Sequence, residues 1–319
     1  MPAKKVHSPI LLIVFNRLDT ALQVLDAVAL ARPDRLYIAA DGPRADRPGE
    51  VDLVRQVREA VLARVDWPCE VRTLFRDINL GCQDGVRTAI DWFFDQVSAG
   101  IILEDDVVPS PDFFAFCDMA LSLYADDDRV YMISGTNLLG AKVAFDTYSF
   151  SSYASIWGWA SWRRAWSRYD VTMAQWATSG LRKGLSRRFG LLGATYLRSV
   201  IDGHIRHHID TWDTQWLYTM LRDGARGVVP HGNLITNIGV VGTHSTVEMS
   251  AHHLPYGTMH PPLRPATSPG VEDEQFARRM IRQIFLPAML ISNTSRLSKK
   301  LGVHGVVMRM YSRLKKSGK

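Results

Sequence analysis

Cysteine is scarce in this 319-residue chain: Cys69, Cys82 and Cys117 make an odd number with no Cys-x-x-Cys pair. Neither a disulfide framework nor a structural zinc site is written in that pattern, and a reducing compartment is expected. Long apolar runs are missing as well. Pro9 to Phe15 follows Lys4 and Lys5, but Asn16, Arg17 and Asp19 interrupt it well short of the roughly 18 residues a membrane span needs, and no small-residue cleavage site follows. It reads as a buried strand. No repeat or low-complexity tract is present. Acids are absent from Gln275 to Lys319, where 11 Lys and Arg residues lie. Residues 271–319 carry +8 of a total of +6, so the other 270 residues carry −2. A nearly neutral body argues against a folded surface that grips nucleic acid.

What is there is ordinary globular composition, 46% hydrophobic and 22% charged, which excludes wholesale disorder. In the first half, short apolar runs alternate with amphipathic stretches, the pattern of a mostly parallel sheet covered by helices. The predicted strands are Pro9–Phe15, Arg35–Ala40, Glu70–Phe75 and Gly100–Leu103. Helices are predicted from Asp19 to before Pro33, over Val51–Val65 and over Val86–Val97. Ligands of open parallel sheets bind at the carboxyl ends of strands, where this chain places Asn16-Arg17, Asp41-Gly42 and Glu104-Asp105-Asp106. The second half is less regular. It holds an aromatic stretch with Trp157, Trp159, Trp162 and Trp166, and a His-rich stretch from His204 to His208. Five prolines between 255 and 269 predict a stiff connector.

Three adjacent acids after an apolar strand repel one another unless something positive compensates them. Magnesium or manganese, binding through one or two carboxylates plus a substrate phosphate, fits that need. Capping of the following helix, which begins near Pro111, is the alternative reading. Arg17 could equally start a surface helix, Asp41 could form the turn before Gly42-Pro43, and Asp213 could cap the amphipathic run that follows it. His204, His207 and His208 share a helical face, yet with no cysteine near and Arg206 between them they make a weak zinc site.

The segment Gly100-Ile-Ile-Leu-Glu-Asp-Asp-Val-Val-Pro-Ser-Pro-Asp-Phe-Phe114 resembles the Glu-Asp-Asp segment of N-acetylglucosaminyltransferase I and related GT-A glycosyltransferases, including bacterial family 2-like proteins. Leu12-Ile-Val-Phe-Asn-Arg17 is similar to that family's first strand and nucleotide-contacting Arg, and Ala40-Asp41-Gly42 to its base-contacting Asp. Trp212-Asp213-Thr-Gln-Trp216 resembles its Trp-Asp-Asp-Trp segment, with Thr214 in place of the second Asp. Pro230 to Ser245 resembles the loop that closes over the diphosphate. The order matches over residues 9 to 250.

The resemblance implies a GT-A fold, an α/β architecture with a mostly parallel central sheet flanked by helices, and an inverting transfer of sugar from a nucleotide diphosphate, UDP favoured. In it Asp106, with His244, would hold Mn2+ or Mg2+. Glu104 and Asp105 would contact ribose and donor sugar, Arg17 the nucleotide or its phosphate, and Asp41 the base. Ser245 would meet the diphosphate, and Asp213 would be the catalytic base. Trp157 and Trp159, flanking Gly158, are candidates to stack on a sugar face.

The expected organisation is a catalytic domain over 1–254 (nucleotide half 9–110, acceptor half 111–254), a Pro-rich connector over 255–270 and a basic helical segment over 271–319. The acceptor would be a glycan, glycolipid or glycoprotein. The basic segment suggests peripheral attachment to an anionic membrane surface from the cytoplasm, the alternative being a helix packed on the catalytic body with a solvated basic end, and nucleic acid is not an expected partner. Rival readings are a non-catalytic carbohydrate or membrane-surface binder and a sugar nucleotidyltransferase, although the Gly-rich, Arg-containing loop of the latter is absent after the first strand.

Overall fold

The computed structural model describes residues 5–140, 144–239, 254–266 and 273–287. The first half alternates as predicted: β1 (Ile10–Val14), α1 (Leu18–Ala31), β2 (Arg35–Ala40), α2 (Glu50–Ala63), β3 (Glu70–Phe75), α3 (Gly81–Gln96) and β4 (Ala99–Glu104). β1 pairs in parallel with β2 on one side and β4 on the other, and β3 extends the sheet beyond β2. The strands end together, so their following residues share one edge.

Thereafter come β5 (Val107–Pro109), α4 (Pro111–Leu123), β6 (Val130–Ser134), β7 (Ala144–Ser151), β8 (Trp159–Trp162) and α5 (Arg163–Trp166). They are followed by α6 (Leu181–His207), α7 (Asp213–Asp223), β9 (Arg226–Pro230), β10 (Ile235–Asn237), β11 (Thr258–Pro265) and α8 (Asp273–Met280). The described strands form a nine-stranded sheet, β11-β7-β9-β6-β8-β4-β1-β2-β3, and a two-stranded sheet, β10-β5. β8 runs antiparallel between β4 and β6. The expected α/β class, a mostly parallel sheet flanked by helices, is what the chain adopts.

Both faces of the sheet are covered, which is why β1 is apolar throughout instead of alternating. Ile10, Leu12 and Val14 point to a core completed by α1, α2 and α4, while Leu11 points to a second core completed by α3, α5 and α7. The second core is where the tryptophans gather: Trp159 and Trp166 contact each other, and each contacts the rings of Trp212 and Trp216.

α6 is broken at Gly190, whose φ of 71° and ψ of 176° are not helical. In an unbroken helix residues 182 and 198 would stand about 24 Å apart. Here Arg198 Nε donates to the Arg182 carbonyl at 3.0 Å and its Nη2 to Ser186 Oγ at 3.1 Å, so the two halves fold back beside each other.

The proline-rich stretch predicted as a connector belongs in part to the sheet: β11 is an edge strand pairing in parallel with β7. Prolines lack the ladder N–H and are tolerated at an edge. The first part of the basic segment packs on the body, as the alternative reading of it had it. Phe276, Ala277 and Met280, at helical spacing on α8, and Ile281 in the following π-helical turn (Ile281–Phe285) are buried, and Glu274 accepts from Arg188 Nε at 2.9 Å and from the Ser152 hydroxyl. The body therefore extends to at least residue 285, past the boundary drawn at 254, and residues 288–319 lie outside the described residues. Among the described residues no helix is long and apolar enough to cross a membrane.

Candidate functional site

A cleft of about 650 Å³ opens at the carboxyl edge of β1, β2 and β4, lined by residues that follow those strands. Arg17, Asp41, Glu104, Asp105, Asp106 and Trp157, all singled out from the sequence, meet there.

Arg17 supplies the positive charge that the three acids require. Its guanidinium makes a close ion pair with Asp105, and Nη1 lies 2.9 Å from Asp106 Oδ2. Burial opposes its charge, yet Asp105 and Asp106 outweigh that and raise its pKa. Asp105 is 4% exposed and turned to Arg17; burial raises its pKa while Arg17 restrains the rise. The Glu104 side chain has no hydrogen bond among the described residues. Burial, reinforced by Asp106, Asp105 and Asp213, pushes it up to about 8, so its carboxyl holds a proton at neutral pH.

Asp106 stands where the main sheet passes into the two-stranded one. Its carbonyl accepts from the Ile238 N–H at 2.8 Å, and a Cβ on Gly239 would strike its carboxylate. The chain running from β10 toward His244 and Ser245 thus begins against Asp106. Those two residues lie outside the described residues.

At the end of β2, Asp41 Oδ2 accepts from the Leu80 N–H at 2.8 Å, whereas the buried Oδ1 has no partner among the described residues. Burial raises its pKa. A buried acceptor without a donor costs about 1–3 kcal/mol, which makes this oxygen ready for a ligand N–H. The loop beyond it is pinned by Glu50, which accepts from Asn16 Nδ2 at 2.9 Å, from the Arg44 N–H at 2.7 Å and from the Arg44 guanidinium.

The opposite wall comes from the second half. Asp210 accepts from the Cys82 and Gln83 N–H groups at 2.9 and 2.8 Å, at the start of α3. Asp213 is the first residue of α7, whose N-cap is Trp212. Asp213 Oδ1 accepts from the Thr214 N–H at 2.9 Å and from the Thr211 hydroxyl, leaving Oδ2 unengaged among the described residues. Asp213 does not line the cleft itself, but its charge acts on Glu104 and Cys82, which do.

Trp157 faces the cleft, whereas Trp159 is 1% exposed and stacks on Trp212 with centroids 5.5 Å apart. It is a core residue and cannot meet a sugar; β8 starts at Trp159 and commits its ring to the tryptophan cluster. The zinc alternative also fails to assemble: His204 is buried against Gln215, while His207 and His208 are exposed.

Sequence reasoning missed Arg44, Arg47, Arg76, Asn79 and Cys82, which line the cleft beside Asp210, the alternative to Asp213 as base, and Asn237 of the Pro230–Ser245 loop. Arg76 directly follows β3 and was the one strand-end signal left unread. Its guanidinium reaches Thr88 Oγ1 at 2.6 Å and has no carboxylate partner among the described residues, and burial lowers its pKa. Asp210 carries no local signal, because its partners lie about 130 residues earlier.

The donor chemistry can be tested against a divalent ion. Among the described residues no group of three His, Cys, Asp or Glu side chains is arranged to hold a metal alone. Asp106, part-exposed at the cleft, offers a hard carboxylate, which fits magnesium or manganese only if waters and phosphate oxygens complete the shell.

The chain matches no protein-family profile and no curated protein. Among solved structures it is similar to the glycosyltransferase GlyE of Streptococcus pneumoniae TIGR4, at 10% identity and a TM-score of 0.32, over 69% of this chain and 45% of that one. Mouse xyloside xylosyltransferase 1 aligns at 11% identity and 0.31, over 68% and 81%. The inositol-1-phosphate CTP transferase of T. maritima aligns at 9% and 0.32, over 51% and 74%. These similarities are too low to bear on activity.

Proposed function

We propose that this protein is an inverting glycosyltransferase that moves a sugar from a nucleotide diphosphate, UDP favoured, to a hydroxyl of a glycan, glycolipid or glycoprotein. The observation that carries the reading is the pairing, in one cleft, of a buried Asp41 acceptor without a partner among the described residues and an Arg17-compensated acid cluster two strands over, across β1. The first suits a base N–H, and the second suits the region where diphosphate charge must be met.

In this reading Asp41 Oδ1 accepts from the base, and Asn16, Glu50 and Arg44 hold the surrounding loop in shape. Trp157 and Glu104 border the donor sugar. Asp106 would hold Mn2+ or Mg2+, with His244 as a second candidate and Ser245 beside the diphosphate; when bound, the ion supplies charge neutralisation for the departing diphosphate. Asp213 Oδ2 takes the proton of the acceptor hydroxyl. That oxygen attacks the anomeric carbon from the face opposite the diphosphate, the carbon–oxygen bond to the diphosphate breaks, and one displacement inverts the centre. A glycosidase usually places two carboxylates on either side of the bond, about 5 to 9.5 Å apart, and the adjacent acids 104–106 do not supply that pair alone, which disfavours hydrolysis.

Thermal-shift screening of nucleotide sugars with Mn2+ identifies the donor, since a ligand at 100 times its Kd stabilises by about 2.7 kcal/mol. Mn2+-dependent release of UDP from the best donor then distinguishes an enzyme from a binding protein. Stabilisation without any turnover defeats the transferase reading.

A further inference from the structure

Leu191 and Leu192 are consecutive, directly after the break at Gly190, and are 78% and 63% exposed. Leu191 is the most exposed large hydrophobic residue among those described. Because the two halves of α6 fold back on each other, this pair occupies the tip of a helical hairpin. Just beneath the tip the structure is closely packed: Phe189, Gly193 and Ala194 are buried, and a Cβ on Gly193 would stand 2.8 Å from Phe189. Two apolar side chains are therefore held out by a packed base.

The surroundings of the tip are basic. Arg187 is exposed one turn before it. Arg278 of α8 donates to the carbonyls of Arg188 and Arg187 at 2.6 and 3.1 Å, which neutralises none of its charge. Ile281 faces the Gly193 position, which brings exposed Arg282 to the same neighbourhood. None of these three guanidinium groups has a carboxylate partner among the described residues. Glu274, the nearby acid on α8, is taken by Arg188.

Protruding leucines near bases that have no carboxylate partner among the described residues match an anionic bilayer, where the apolar groups enter the acyl boundary and the guanidinium groups meet headgroup phosphates. We infer that the α6 hairpin tip, Leu191-Leu192 with Arg187, Arg278 and Arg282, is a wedge that seats this protein on an anionic phospholipid surface. The inference does not rest on the proposed transfer chemistry. It concerns described residues only; the sequence holds eight further bases over 288–319, which lie outside the described residues.

The test is vesicle sedimentation of the full chain, comparing phosphatidylcholine alone with phosphatidylcholine containing phosphatidylglycerol. Binding should require the anionic lipid and weaken with salt. Leu191→Ser/Leu192→Ser should reduce partitioning roughly tenfold or more, and Arg187→Glu about fivefold or more, with melting temperature unchanged because all three side chains are exposed. If the leucine variant melts early, Arg187→Glu alone decides. Undiminished binding of the folded variants assigns any membrane affinity to the remaining bases and overturns the wedge. So does an absence of binding by the parent, or loss of self-association in the leucine variant without any lipid preference.

Discussion

Arg17 Nη1 lies 2.9 Å from Asp106 Oδ2 while the same guanidinium grips Asp105. The acids at the end of β4 are thus held in place before any ligand arrives, with Asp105 committed to Arg17 and Asp106 the more accessible of the two. That division separates a positioning carboxylate from one that faces the cleft.

Asp106→Ala should abolish Mn2+-dependent UDP affinity and leave the fold intact, because Arg17 keeps Asp105 as its partner. Calorimetry with UDP, with and without Mn2+, checks this. Unchanged metal dependence would remove Asp106 from the site.

Asp213→Asn retains an oxygen for the Thr214 N–H and the Thr211 hydroxyl but loses basicity. Turnover should fall by roughly 10² to 10⁴ with the melting temperature nearly constant. Should activity persist while stability drops, the carboxylate is only a helix-terminal group, and Asp210 becomes the next residue to replace.

Asp41→Asn leaves the side chain's size unchanged and changes what the buried Oδ1 position offers. A lost hydrogen bond to a charged acceptor is worth about 1.5–3 kcal/mol, so the Kd for UDP should rise roughly 10- to 100-fold. Equal affinity in both proteins would place the base elsewhere.

Glu104 gives the protein a pH signature. Its native carboxyl titrates at about 8, while glutamate in an unfolded chain titrates near about 4.3. Between those values the folded state keeps a proton that the unfolded state has lost, so this group erodes stability as pH rises and by a constant amount above about 8. Glu104→Gln abolishes the effect. Its melting temperature should match the parent's at pH 4, gain on it up to about pH 8 and then run parallel. Melts across that range decide the matter, and a gap independent of pH would mean Glu104 ionises normally.

The half of the molecule built from β1 to β4 was legible because doubly covered strands are continuous apolar runs and their ends are marked by polar residues. Arg17, Asp41 and Asp106 were readable for that reason. Asp210 was not, since its capping of α3 depends on how two distant segments meet. Trp159 misled because tryptophans on either side of Gly158 look equivalent in sequence, yet Trp157 lines the cleft while Trp159 stacks into the core. The prolines of β11 suggested a linker by local chemistry, and only the neighbouring β7 makes them a strand. For α8, basic residues dominated the reading, although Phe276, Ala277 and Met280 already marked the face that packs.

The outer strands of the sheet have one more consequence. An exposed strand edge is a template on which another chain can polymerise. β3 presents Glu70 and Arg72, bonded to each other at 2.8 Å, and β11 presents Pro261, Pro262 and Pro265, which have no N–H to offer. Among the described strands one border carries charge and the other lacks donors, which disfavours the recruitment of a tenth strand from a neighbouring molecule.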